Sequence, residues 1–366
     1  MQQTSNTAVE LLAVHRCLRL SGSRYARMAA ACGGEWSRWR TESELWIRQH
    51  LSSKEAERLL TNRLQVDLSR EQALIDQYQL RLITPEQRLF PEALQHIYQP
   101  PGLLFVRGEL RSLWFPGVAV VGSRRMTSYA KRCTEHLTAA MAQQGITIIS
   151  GLAMGVDSLA HQTAVAAGAK TIAVLGSSID QIHPASSTRW ATEQLAAGTL
   201  SLVSEYAPGE TVSRNNFVVR NRLVSGMSRG VVIIQAGEKS GTMATARIAL
   251  EQGREIFTVP GDIFALQYEG NNRLLQEGAT PVTSGAQIVE ALSLSQHALH
   301  QEVKQVSPEN ELESRILALF TAEPQWHMNA IVRALPEDSA LILSTLTMME
   351  LKGMLRQDSS GHYVRY

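Results

Sequence analysis

Four short segments combine small residues with cations in a way that suits an anion. They are Gly122, Ser123, Arg124 and Arg125; the stretch SGLAMGVD (150–157) with Gly151 and Gly155; Gly176 with Ser177 and Ser178; and Gly237 through Lys239, Ser240, Gly241 and Thr242. Small side chains let a ligand approach the main chain, and a helix that starts in such a loop offers unpaired N–H groups to negative charge. Arg124, Arg125 and Lys239 add cations beside these loops. The chemistry this predicts is the holding of a phosphate-bearing ligand. A plainer reading, that the glycines only serve tight turns, fits any one loop but fits four loops with cations poorly. A further segment, 215–222, places Phe217 among Arg220, Asn221 and Arg222 in a stretch without clean periodicity. An aromatic face that stacks a base, flanked by cations that neutralise phosphate, is how single-stranded nucleic acid is bound. The alternative for this segment makes Phe217 a core residue and the arginines surface ion-pair partners.

Such loops need a scaffold, and the sequence around them supplies one. VAVVG (118–122), ITIISG (146–151), TIAVLG (171–176), LSLVSE (200–205), GVVIIQAG (230–237) and EIFTVPG (255–261) are continuous apolar runs. Runs without polar alternation mark strands buried on both faces. Helix-length segments separate them, which predicts βαβ units and a doubly wound, mostly parallel α/β sheet of Rossmann-like type. In such a sheet ligands bind outside the carboxyl ends of the strands, where these loops fall. RLIT and the region to 110 read as strand, turn, short helix, turn, strand. Residues 1–80 read as a small helical domain (SAM- or HhH-like), with Leu11, Leu12, Val14, Leu18 and Leu20 at helical spacing and Ser52 or Ser53 as an N-cap. The core domain spans 81–293, and a polar linker spans 294–311. Residues 312–366 read as three helices and a β-wing, a winged-helix-like domain.

Composition narrows the classes further. The chain has 366 residues, 44% of them apolar, which excludes wholesale disorder. Its net charge of +1 requires any nucleic-acid site to be a local concentration of cations. Cys17, Cys32 and Cys133 form no CxxC pair, so neither a disulfide framework nor a metal site is expected. No run approaches the ~20 apolar residues of a membrane span, and no signal peptide is evident. A soluble, cytoplasmic protein is the expectation. The absence of GxGxxG and of a Walker GxxxxGK[ST] pattern argues against a standard NAD or ATP site, so no cofactor is expected.

SGLAMGVDSLAH (150–161), TIAVLGSSIDQIHP (171–184), FVVRNRLVSGMS (217–228) and SGTMATARIALEQGREIFTVPG (240–261) together resemble the DprA/Smf family of DNA-processing proteins. The resemblance runs from about residue 80 to 290, with a weaker echo at 346–366. It implies a Rossmann-like core that binds single-stranded DNA, forms a homodimer and helps load the RecA recombinase during DNA uptake, without catalysis. Carried onto this chain, Gly122, Ser123, Arg124 and Arg125 would meet phosphate or a base. Phe217 would stack, Arg220 and Arg222 would hold the nucleic-acid backbone, and Asn221 would hydrogen-bond nearby. The chain departs from the family pattern at Val218 (usually proline), Gln235 (usually glutamate), His183 (usually tyrosine) and near Ser187 (usually asparagine).

Two rival readings stay open at this level. One is a nucleotide-hydrolysing enzyme of the related phosphoribohydrolase-like group, although the position that aligns with its catalytic glutamate is Thr245. Asp157 and His161, four apart on a helix, could form an acid–base pair or could be a helix-start carboxylate and a packed imidazole. The other rival is a nucleotide-sensing regulatory module whose C-terminal domain reads duplex DNA. The third C-terminal helix argues against base reading, because it carries mostly Leu, Met and Thr.

Overall fold

The computed structural model describes residues 2–87, 89–109, 117–211, 213–294, 310–322, 325–351, 354–357 and 361–365. It divides into two compact units, Met1–Ser295 and Gln296–Tyr366. In the first unit the described strands are β1 (Arg81–Ile83), β2 (Leu104–Arg107), β3 (Gly117–Val121), β4 (Thr147–Ser150), β5 (Thr171–Val174), β6 (Leu200–Ser204), β7 (Gly230–Ile233), β8 (Glu255–Thr258) and β9 (Thr280–Pro281). They form one sheet in the order β1-β2-β6-β5-β4-β3-β7-β8-β9. From β6 to β9 every pairing is parallel, and β1 and β2 add an antiparallel edge.

The apolar runs form strands because both faces are covered. Val118 and Val120 pack with Leu137, Met141 and Ala160 on one side. Ala119 and Val121 pack with Leu223, Val224 and Ala246 on the other. Each fully buried Val or Ile contributes about 1.5–3 kcal/mol to such a layer. The strand order also fixes a switch point. The chain winds outward from β3 through β4 and β5 to β6, then returns to β7 on the opposite side of β3. A crevice therefore opens at the carboxyl ends of β3 and β7.

The helix Gln2–Leu18 buries Leu11, Leu12, Val14 and Leu18 in the same cluster as Phe105, Ala173, Leu175 and Leu200 of the sheet. The N-cap question resolves to Ser52: its N–H donates to the Glu55 carboxylate at 3.1 Å, closing a capping box on the helix Ser53–Asn62.

Two local expectations change. The segment 215–222, read from sequence as lacking periodicity, lies inside the helix Arg214–Gly226, started by a capping box between Ser213 and Asn216. In the second unit the helix Glu311–Ala322 is followed by a strand, β10 (Gln325–His327), that the three-helix reading did not contain. The helices Met328–Ala334 and Ser339–Leu351 follow, then β11 (Leu355–Gln357) and β12 (His362–Arg365), in a sheet ordered β10-β12-β11. Ile316, Ile331, Ile342, Leu346 and Tyr363 form its core. Most of the expected linker, 295–309, lies outside the described residues.

Candidate functional site

The helix Arg214–Gly226 belongs to the crossover between β6 and β7, so it begins at the carboxyl edge of the sheet and one of its faces borders the switch point. A cavity of about 390 Å³ sits there. Gly122, Ser123 and Arg124 line it from the loop after β3, and Gly151, Ala153 and Asp157 line it from the segment after β4. Ser240, which caps the helix Gly241–Glu251 after β7, and Gly241, Thr242 and Thr245 of that helix close it, with Phe217, Arg220 and Asn221 from the crossover helix. Loops far apart in sequence thus meet around one space, and Arg124 and Arg220 share it.

The two arginines differ in kind. Arg124 is exposed. Arg220 is buried, and its guanidinium donates to the carbonyl of Gly151 at 2.8 Å and to that of Val174. Its Nε donates to the Asn221 side-chain oxygen at 3.2 Å. Arg220 therefore ties the ends of β4 and β5 to the helix. Glycine is needed opposite it, since a Cβ on Gly151 would lie 2.5 Å from the guanidinium. Burial pushes Arg220 down to about 10, with buried Asp157 opposing that shift. The Asp157 carboxyl is pushed up by the same burial and pulled back by Arg220; it accepts the Gly151 N–H at 3.1 Å.

Arg222 does not reach the cavity. Its guanidinium is committed to Glu205, at 2.6 and 2.7 Å. Residues two apart on a helix do not share a face, so Arg220 and Arg222 cannot both point into one space. Arg125 and Lys239 are exposed neighbours of lining residues and do not themselves line the cavity. Gly155 and Gly176 shape it from outside. Gly155 has φ +82° and lets Val156 N–H donate to Ser123 O at 3.2 Å; a Cβ there would lie 2.3 Å from that oxygen. At Gly176 a Cβ would come within 2.7 Å of the Phe217 ring.

Asp157 and His161 serve structure. His161 is fully buried, its Nδ1 lies 2.7 Å from the Thr171 hydroxyl, and burial with Arg220 nearby pushes it down to about 3. Asp157 is, among the described residues, the one carboxylate lining the cavity. Thr245 is buried there, 3.4 Å from Gly241 O.

A family model described as DNA recombination-mediator protein A matches residues 81–293. The chain belongs to the DNA recombination-mediator protein A family. It is 39% identical to Protein Smf of Escherichia coli over 240 residues, which cover 66% of this chain and 63% of that protein. It is 38% identical to DNA processing protein DprA of Streptococcus pneumoniae over 200 residues, 55% of this chain and 70% of that one. Among solved structures, DNA processing protein A from Streptococcus pneumoniae superposes with a TM-score of 0.62 at 31% identity, covering 74% of this chain and 94% of that chain. DNA processing protein A from Helicobacter pylori, described for its unique single-stranded DNA binding mode, gives a TM-score of 0.53 at 32% identity, covering 59% and 97%.

Arg214 and Asn271 of this recombination-mediator protein stand outside the sequence reading, which gives Gln235 only as a departure from the family pattern. Arg214 is exposed one helical turn before Phe217 and Val218, a spacing that puts it on their face of the helix. Its signal, a cation three residues before the aromatic, was present but the stretch was not read as helical. Gln235 accepts from the Thr127 N–H (2.9 Å) and hydroxyl (3.2 Å), anchoring the loop after β3 to β7. The amide oxygen supplies an acceptor where the family pattern has a carboxylate. Asn271, fully buried, accepts from Ala236 N–H at 2.7 Å and donates to Val259 O at 3.0 Å, pinning the ends of β7 and β8 together. Nothing in the local sequence distinguishes it from a solvent-facing amide.

Proposed function

We propose that this chain binds single-stranded DNA in the cavity at the β3/β7 switch point, with no bond made or broken in the DNA. The observation that carries the reading is that exposed Arg124, half-buried Phe217 and the N-terminal turn of the helix Gly241–Glu251 face one space. A phosphate is served by Arg124 and by the N–H groups of that turn, and a base by Phe217. Arg214, Arg125 and Lys239 surround the opening as a diffuse positive field for the continuing strand. Asp157, bonded to a main-chain N–H and buried beside Arg220, has no freedom to act as a general acid or base, which supports binding over hydrolysis.

The family's description as a recombination mediator fits a protein that presents the bound strand to the RecA recombinase, and we assign it that partner in the cytoplasm. It acts as a homodimer. The C-terminal unit, with Leu341, Leu343 and Met348 exposed on its last helix, suits a protein contact better than base reading.

Fluorescence anisotropy with labelled oligo-dT across a salt series tests the site. Arg124→Ala is expected to weaken binding and to flatten the slope of log K against log salt by about 0.7, one single-strand phosphate contact. Unchanged affinity and slope would refute the site. Sedimentation at several concentrations reads the dimer.

A further inference from the structure

A second ring stands beside Phe217, which lines the cavity. His183 is exposed on the loop after β5, and its ring centre lies 5.2 Å from that of Phe217, the two planes inclined by 56°. Phe217 lines the cavity from the crossover helix, seated so closely on the β5 loop that only glycine fits at 176. Neither ring belongs to the buried clusters flanking the sheet. Two rings from different elements thus meet beside a nucleic-acid cavity without serving the core.

We propose that His183 is a base-stacking residue which, with Phe217, makes the site selective for an unpaired strand. The inference rests on the reading that a polynucleotide occupies the cavity. Stacking requires a base plane nearly parallel to the ring that receives it. Consecutive bases in a duplex are held parallel by their neighbours and partners, so they cannot cover two surfaces that diverge by 56°. An unpaired strand can open the angle between successive bases by rotating its own backbone, and any base will serve, since each has a π face. The position of His183 also extends the footprint. The cavity draws on the ends of β7, β3 and β4, and His183 adds the end of β5, the next strand along the same edge. The strand's path therefore runs along the carboxyl edge rather than straight into the cavity.

The test uses the full chain with labelled oligo-dT and the matching dT·dA duplex, for His183→Ala, His183→Tyr, Phe217→Ala and Arg124→Ala. Removing the ring in His183→Ala is expected to lower single-strand affinity about five-fold or more, the smaller end of what one stacked base contributes. Duplex affinity stays the same, so selectivity falls by that factor, and the salt slope is unchanged because no phosphate contact is lost. His183→Tyr restores both. Because His183 is exposed, the melting temperatures of the two His183 variants are expected to match the parent. His183→Ala that binds like the parent while Arg124→Ala and Phe217→Ala weaken binding overturns the platform and leaves the cavity reading intact. Equal loss in His183→Ala and His183→Tyr also overturns it, since an imidazole-specific contact would then be at work. If none of the variants changes binding, the cavity reading fails and the platform with it.

Discussion

Alanine in place of Arg220 is expected to weaken the fold at the site, whereas alanine in place of Arg124 is expected to weaken only binding. The Arg220 guanidinium makes two bonds to the main-chain carbonyls of Gly151 and Val174 and faces Asp157 inside the protein. A hydrogen bond from a charged donor contributes about 1.5–3 kcal/mol. Removing one partner of a buried charge pair costs about 3–5 kcal/mol. The two figures overlap, because Asp157 can relieve its own isolation by taking a proton, a shift its burial already favours. A loss of about 3–5 kcal/mol is therefore expected for the whole change. At roughly 2–4 °C per kcal/mol for a domain of this size, the melting temperature falls by roughly 6–20 °C. Adding Asp157→Asn to Arg220→Ala is expected to recover part of it by removing the stranded carboxylate. Calorimetry on the parent, Arg124→Ala, Arg220→Ala and the double variant, alongside the salt-dependent anisotropy, separates the roles. If Arg220→Ala melted with the parent and flattened the salt slope as Arg124→Ala does, the structural assignment of Arg220 would be refuted.

Three further outcomes follow from the same geometry. Gly155→Ala forces a side chain into a left-handed backbone and against Ser123 O, so it is expected to cost roughly 2–5 kcal/mol in urea unfolding and to abolish oligo-dT binding as the loop after β3 shifts. His161 has its folded-state value lowered from 6.5 to about 3, so the unfolded chain binds more protons as pH falls. The stability it preserves is complete above about 6.5 and is lost toward 3, at most roughly 5 kcal/mol, and His161→Gln should flatten that part of a stability–pH curve measured by urea titration. Gln235→Leu leaves Thr127 N–H without its acceptor, and faster hydrogen exchange at that amide with a stability loss of about 1–3 kcal/mol is expected.

The sheet was legible because its strands are buried on both faces and advertise this in unbroken apolar runs, and the switch point then directs attention to loops that line the cavity. Arg124 and the 240–242 segment, which line the cavity, come from those loops, whereas Phe217 comes from its setting among arginines. Helix facing was not. Arg220 shares a stripe with Leu223 and Val224, three and four residues on, and that spacing already marks it as inward. Treating 215–222 as irregular discarded this cue, so Arg220 and Arg222 were given one role when their side chains diverge. Strand β10 has three half-buried residues between two helices, too short for periodicity to register. His183 shows its part only through a contact with a residue thirty-four positions away.

The shared packing of the first helix with the sheet bears on how this protein is dissected. Trimming the chain to the family-matched stretch at 81–293 would strip the cover from Phe105, Leu200 and Leu202, side chains that otherwise never meet water. Such a fragment would carry a fresh greasy wall on one flank and would be prone to clump. Loss of DNA binding in it would then report on solubility and would say nothing about recognition by the opening helices.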